Sequence, residues 1–415
     1  MPSNVNTRYF PISYSSGWSQ WWNNLTPAVT EHRVLSLIPY LRSHAPTHTQ
    51  TSLPEGTSPI GDGHVEPVST TDPYGNRTWR SELVPLSGEN RYLNEFSISR
   101  SPASPEGSPE GLPDGSKHDL VMLHGYGAGL GFFYKNLEPL SRRKAWNLYA
   151  LDLLGMGRSS RPPFKLHAKD KSSKVVEAEG WFVDALEEWR AKRKIEKFTL
   201  LGHSLGGYLA VAYALKYPGR LEKLLLVSPV GIPENPYAVA EALPDGAGAG
   251  RNGGKDVPKQ PLPRWLTTLW DANVSPFSIV RLSGPLGPRL VSRWSRRRFA
   301  HLPEQEADAL HDYAYSLFRQ RGSGEYALAY ILAPGAYARE PLLGRFKGLN
   351  VPVHFLYGDR DWMDVNAGRE AARVVRENGG KADVTVVKDA GHHVYLDGFD
   401  EFNAIVGREL EGIEG

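Results

Sequence analysis

Apolar residues fall in two rhythms along this chain, and the change between them marks where a core begins. "TWRSELVPL" (78–86) and "YLNEFSIS" (92–99) flank "SGEN", a pattern that predicts a β-hairpin. From residue 119 the apolar runs become continuous: "DLVMLHG" (119–125), "WNLYALDLLG" (146–155), "KFTLLGHS" (197–204), "LEKLLLVSPVG" (221–231), "VPVHFLYGD" (351–359) and "ADVTVVKDAGH" (382–392). Short runs of this kind predict strands buried on both faces. Helical patterns alternate with them. "EGWFVDALEEWRAKRKI" (179–195) puts Trp181, Ala185, Leu186 and Trp189 on one face, and "LGGYLAVAYALKYPG" (205–219) is closed by Pro218 and Gly219. Two more helices are expected near 366–378 and 399–411. The alternation predicts an α/β fold with a mostly parallel central sheet and helices on both faces.

Residues 232–345 break the rhythm. They are rich in Pro, Gly and Arg, carry helical pieces and are too long for a connection, so they predict an inserted cap, or lid, over the sheet. The expected organisation is an N-terminal extension (1–75), a first core part (76–231), the cap (232–345) and a second core part (346–415). Within the extension, "EHRVLSLIPYLRSH" (31–44) predicts a short amphipathic helix and 45–75 a loose linker. "SPASPEGSPEGLPDGSK" (101–117) is low-complexity and predicts a disordered surface loop.

Composition narrows this picture. The 415 residues include no cysteine, which excludes disulfides and thiolate metal sites. A net charge of +2 gives no global attraction to nucleic acid. No run of 18 apolar residues is present, so no spanning helix is expected. The first residues lack the basic and apolar parts of a secretory signal; their serines and single arginine fit a mitochondrial presequence.

The chemistry centres on "GHSLGG" (202–207), a G-x-S-x-G string between a predicted strand and a predicted helix. That context lifts the Ser204 hydroxyl out of the sheet, with the following helix N-terminus favouring developing negative charge. The backbone amide of Leu205 is one expected oxyanion donor. The amide of Tyr126, in the glycine loop "HGYGAGLG" (124–131), is the second. A dinucleotide fingerprint with Asp152 as the ribose acid fails on spacing, because the last glycine would fall on Leu130 or Phe132.

"HFLYGDRDWMD" offers Asp359, Asp361 and Asp364 as the acid of a triad, with Asp361 preferred, Asp364 its rival and Asp359 a turn residue. His392 follows the next strand as general base, completing the order Ser, Asp, His. His393 is expected to pack or hydrogen-bond. His392 and Asp397 also make H-x-x-x-x-D, a spacing associated with lipid acyltransferases, but about one such match is expected by chance among 13 histidines, and His354 to Asp359 is a second. No cofactor and no metal are expected.

"HGYGAGLGFFYKNL", "LDLLGMGRSSRP", "GHSLGGYLAVAYALKYP", "VSPVGIP", "YGDRDWMD" and "DAGHHVYLDGFDEFN" together resemble the α/β-hydrolase subfamily that acts on phospholipids. That group holds the animal N-acyl phospholipid lipase, the lipid-droplet lipase co-activator and the fungal cardiolipin deacylases. The likeness covers about residues 78–232 and 350–412. It implies a carboxylic ester hydrolase working on a phospholipid such as cardiolipin. The co-activator has asparagine where Ser204 stands here, so the serine implies an active enzyme. The resemblance also implies a lysophosphatidic acid acyltransferase or a non-catalytic lipid-surface adaptor as alternatives. It leaves the acid open, since animal members carry it at the position of Asp364 and plant members at that of Asp361.

Two segments imply a lipid surface. "RLSGPLGPRLVSRWSRRRF" (281–299) interleaves six arginines, Arg296, Arg297 and Arg298 among them, with apolar residues. "GWSQWWNN" places Trp18, Trp21 and Trp22 together, and indole rings favour membrane interfaces. The expectation is a monomeric intracellular protein, peripheral to a membrane, in the mitochondrion or alternatively at a lipid droplet or in the cytoplasm, with no nucleic-acid partner.

Overall fold

The computed structural model describes residues 10–40, 72–74, 77–100, 118–234, 270 and 272–414. The low-complexity stretch 101–117, almost all of the linker 45–75 and cap residues 235–269 lie outside the described residues.

Two helices lead, α1 (Tyr14–Asn23) and α2 (Pro27–Leu35), followed by the hairpin β1 (Arg77–Pro85) and β2 (Tyr92–Arg100). The alternating core runs β3 (His118–Leu123), α3 (Tyr134–Leu140), β4 (Trp146–Leu151), α4 (Lys171–Lys192), β5 (Phe198–His203), α5 (Leu205–Lys216) and β6 (Leu221–Val227). Above it lie α6 (Phe277–Leu282), α7 (Gly287–Phe299), α8 (Glu304–Phe318), α9 (Glu325–Ile331), the two-residue strands β7 (Leu332–Ala333) and β8 (Tyr337–Ala338), and α10 (Leu342–Arg345). The core resumes with β9 (Val353–Gly358), α11 (Val365–Glu377), β10 (Ala382–Val387), α12 (Val394–Asp397) and α13 (Phe399–Glu414).

Eight strands form one sheet in the order β1-β2-β4-β3-β5-β6-β9-β10. β2 is antiparallel to β1 and β4, and every other pairing is parallel. This is the mostly parallel, doubly covered α/β sheet that the continuous apolar runs predict. The strand period of two splits the core cleanly. Val121 and Leu123 of β3 face a cluster with Trp189 of α4, Tyr208 of α5 and Val375 of α11. Leu120 and Met122 face Leu137 of α3 and Phe402 and Leu410 of α13.

Two helices depart from the sequence reading. α4 begins at Lys171 rather than near 179, because Asp170 caps it by accepting from Ser173 N (2.9 Å) before the apolar stripe starts. The helix expected over 31–44 is instead Pro27–Leu35, started by the cap Thr26 and by proline at the first helical position. α2 is no loose appendage. It packs on α8, where Thr30 Oγ1 meets Ser316 Oγ (2.7 Å) and Arg33 pairs with Asp308 (3.1 Å) and Asp312.

From α2 the fully buried Glu31 reaches into the core. Its Oε1 pairs with Arg158 Nη1 (2.7 Å), and its Oε2 accepts from Asn94 Nδ2 (3.0 Å) and Tyr313 OH (3.3 Å). Asn94 Nδ2 also donates to Asp152 (2.7 Å). Burial, opposed by Arg158, pushes the Glu31 carboxyl up to about 7. In the unfolded chain it titrates near 4.3. Between those values the folded state holds a proton that the unfolded state has released, so stability falls as pH rises through this window. We expect thermal unfolding of Glu31→Gln to lack that slope, on the order of 1 kcal/mol per pH unit between about pH 4.5 and 7. Parallel melting curves for the two proteins across that range check it.

Candidate active site

The turn from β5 into α5 forces a backbone conformation that ordinary residues avoid. Ser204 sits there at φ 54°, ψ −114°. Two glycines make the turn possible. A Cβ on Gly202 would lie 2.3 Å from Gly206 O, and one on Gly206 would lie 2.6 Å from Leu123 O and 2.7 Å from His124 O. Ser204 is further pinned because its N–H donates to Val227 O (2.9 Å) and its carbonyl accepts from Val230 N (3.3 Å). Leu205 is the first residue of α5, so its amide has no acceptor within the helix.

His392 arrives from the loop after β10. The Ser204 hydroxyl and His392 Nε2 are 3.1 Å apart, and His392 Nδ1 lies 3.1 Å from Asp361 Oδ1. With Nδ1–H donating to the carboxylate, Nε2 is left free to accept from the serine. Asp361 Oδ1 also accepts from Met363 N (3.0 Å), which fixes the carboxylate in the turn after β9.

The other aspartates have different work. Asp364 caps α11, accepting from Asn366 N (2.8 Å). Asp359 accepts from Ala390 N (3.2 Å) and ties the two loops together. Asp397 Oδ2 accepts from Gly391 N (2.9 Å), and its other oxygen lies 3.4 Å from His301. The structure therefore brings Ser204, His392 and Asp361 into one line and leaves Asp364 and Asp397 out of it. In the second H-x-x-x-x-D match, His354 is bonded to Thr385 Oγ1 (2.8 Å) and faces Glu409 (3.0 Å).

The glycine loop after β3 owes its shape to Asp152, the residue a dinucleotide reading would have used. Its buried carboxylate accepts from Leu130 N (2.7 Å) and Arg158 N (2.7 Å). His124 Nδ1–H donates to Gly125 O (2.8 Å) while Nε2 accepts from Leu153 N (3.1 Å); burial holds this ring down at about 4, hence neutral. Tyr126 follows, its ring stacked 4.9 Å from Phe277 of α6.

Tyr126, Ser204, Leu205 and His392 border one cavity of about 370 Å³, whose other walls include Val230, Trp270, Leu328, Leu332 and Trp362. It is a largely apolar pocket with few polar groups, the usual form of a small-molecule site. Among the described residues no group of His, Asp and Glu side chains is placed to hold a metal ion.

Sequence reasoning missed two side chains and misplaced a third. His203 Nε2–H donates to His392 O (2.9 Å), fixing His392 through its backbone, and burial keeps the His203 ring neutral. Its signal was its place inside G-x-S-x-G. Trp362, half exposed, covers the His392 ring at 4.9 Å. Arg298 was read with Arg296 and Arg297 as surface, but only those two are exposed. Arg298 shares a stripe with Val291 and Trp294 at i, i+3 and i+7, and turns inward to line the cavity. Trp18 and Trp22 are exposed at 54% and 69%, with Trp21 between them partly covered.

A family profile described as "alpha/beta hydrolase fold" matches residues 120–399. Over 77% of its length the chain is 36% identical to the 1-acylglycerol-3-phosphate O-acyltransferase of Arabidopsis thaliana, covering 70% of that protein. It is 35% identical over 71% of its length to the human (Lyso)-N-acylphosphatidylethanolamine lipase, covering 80% of it. Among solved structures, a thermophilic esterase from Thermogutta terrifontis superposes with a TM-score of 0.53 over 81% of this chain and 99% of the other, at 17% identity, a likeness of fold.

The close approach at Gly206 yields a direct test. Gly206→Ala should displace the turn, and a shift of about 1 Å at a nucleophile costs roughly 10²-fold in rate. We expect labelling of Ser204 by a fluorophosphonate to slow by at least about that factor, read by intact-protein mass spectrometry on folded material.

Proposed function

The chain belongs to the α/β-hydrolase family, among phospholipid-related members, and from that premise we propose that it is a serine hydrolase removing an acyl chain from a glycerophospholipid at a membrane surface. The observation that carries this reading is the unbroken hydrogen-bonded line Ser204–His392–Asp361 at the wall of an apolar cavity. In the proposed cycle His392 takes the hydroxyl proton as Ser204 Oγ attacks the ester carbonyl. The amides of Leu205 and Tyr126 receive the oxyanion. His392 then passes its proton to the departing lysolipid alcohol. Water, deprotonated by the same ring, adds to the acyl-serine carbonyl; the bond to Ser204 Oγ breaks, His392 returns the proton to that oxygen and the fatty acid leaves.

A cardiolipin-like or N-acyl phospholipid is the substrate we favour, on the resemblance of the motif segments; a mitochondrial location would accompany a cardiolipin-like one. Acyl transfer to a lysophospholipid is the second reading, favoured by the printed activity of the plant relative. We rank it second, because Asp397 accepts from Gly391 N and makes no hydrogen bond to His392.

A lipid surface also fits the outside of the molecule. No helix of the described residues is long and apolar enough to cross a membrane. α1 lies beside the turn between α6 and α7, and together they expose Tyr14, Trp18, Trp22, Ile279, Leu282 and Leu286. Arg289 sits over the Tyr14 ring at 3.6 Å, and Arg296 and Arg297 are exposed on α7. Pro276, just before α6, lines the cavity itself, so this face continues into the cavity wall.

Two outcomes test these statements. Purified protein given mixed phospholipids without acyl-CoA should release fatty acid and lysolipid, identified by mass. Ser204→Ala should abolish this, and Asp361→Asn should lower kcat by about 10⁴-fold. Asp364→Asn should stay within about threefold of wild type. Acyl-CoA incorporation that survives Ser204→Ala and disappears in Asp397→Ala would overturn the hydrolase reading. Separately, Trp22→Ser combined with Leu282→Ser should weaken sedimentation with anionic vesicles by about tenfold or more, since each buried apolar side chain is worth about 1.5–3 kcal/mol.

A further inference from the structure

Among the described residues, several buried or partly buried arginines have carboxylate partners: Arg158 has Glu31, Arg77 has Glu138, Arg281 has Glu325 and Arg345 has Glu179. Arg298 makes no ion pair among the described residues; nor does Arg161, but Arg161 is satisfied by the carbonyls of Gly155, Gly157 and Arg321, whereas Arg298 lines the cavity. Its Nη1–H donates to His393 Nδ1 (2.6 Å) and its guanidinium lies 4.7 Å over the Trp294 ring. Neither neighbour is an anion. Burial and then Arg298 itself hold His393 well below the ordinary histidine range, so the ring is neutral. Tyr395 and Asp397 influence Arg298 only from a distance, and Asp397 is already engaged by Gly391 N. Burial lowers the Arg298 pKa, yet a guanidinium stays protonated at neutral pH, and a desolvated cation without a counter-charge is costly.

That charge faces the cavity that holds Ser204. His393 joins the two: its ring centroid is 5.7 Å from that of His392, whose Nε2 is 3.1 Å from the serine hydroxyl. The guanidinium and the nucleophile thus stand at the ends of one short row of side chains. Val230, Leu328 and Leu332 supply apolar wall for an acyl chain. The planar guanidinium fork suits phosphate oxygens better than a point charge does.

We propose that Arg298 binds the phosphate of a glycerophospholipid whose ester carbonyl lies at Ser204, so that the cavity selects phosphate-bearing lipids over uncharged acylglycerols. This rests on Ser204 being the nucleophile, as argued above.

The test compares a phospholipid with a diacylglycerol of the same chains, in the same uncharged detergent micelles. In Arg298→Met the ratio of kcat/KM for phospholipid to that for diacylglycerol should fall at least tenfold, mainly through KM, with partial recovery in Arg298→Lys. Arg373→Gln, which removes the same charge from the exposed face of α11, should leave the ratio unchanged. An unchanged ratio in Arg298→Met overturns the proposal. A second arm needs no turnover: calorimetric titration of Ser204→Ala with glycerol 3-phosphate should show binding that weakens at least tenfold when Arg298→Met is added. Binding insensitive to Arg298, or inorganic phosphate binding as tightly as glycerol 3-phosphate, also overturns it. A wild-type protein that binds glycerol 3-phosphate through Arg298 but cleaves no ester would instead sink the hydrolase reading alone.

Discussion

The carboxylate of Asp152 is the point on which the parts of this molecule converge. One oxygen accepts from Leu130 N and sets the glycine loop; the other accepts from Arg158 N and from Asn94 of the hairpin. Through Asn94 and Arg158 it is linked to Glu31 of the N-terminal segment, and through Glu31 to Tyr313 of α8. Fully buried carboxylates of this kind are costly unless every lone pair finds a donor, and here the donors come from four separate stretches of chain. Hydrogen bonds and one ion pair do at this junction what disulfides cannot do in a chain without cysteine.

The core was legible because its strands are buried on both faces, which leaves nowhere for polar residues and writes unbroken apolar runs into the sequence. Ser204 and His392 were legible because each needs a strand end of recognisable form. The choice between Asp361 and Asp364 was not, since both lie just past β9. The distinction turns on which carboxylate the local turn aims at the ring and which one caps the next helix, and spacing cannot express that. α2 was misplaced because its start depends on a Thr–Pro cap rather than on apolar periodicity. Arg298 was grouped with its neighbours because composition counts arginines, whereas a helix separates residues two apart by about 200°.

An acyl transfer that ran through Ser204 would part from hydrolysis only at the acyl-serine, which either water or a lysolipid hydroxyl can take. The activities printed for relatives on either side of that divide are therefore compatible with one constellation of side chains.

α1 is joined to the cavity wall by a relay of side chains. Gln20 of α1 meets His311 of α8 (3.2 Å), His311 meets Ser295 of α7 (2.8 Å), and Arg298 lies one turn further along that same helix. The helix bearing the exposed tryptophans and the helix bearing the inward arginine are thus members of a single truss. A load on the outer member would have a hydrogen-bonded route to the inner one that does not pass through the sheet. Adsorption and substrate selection would then be two readings of the same small displacement.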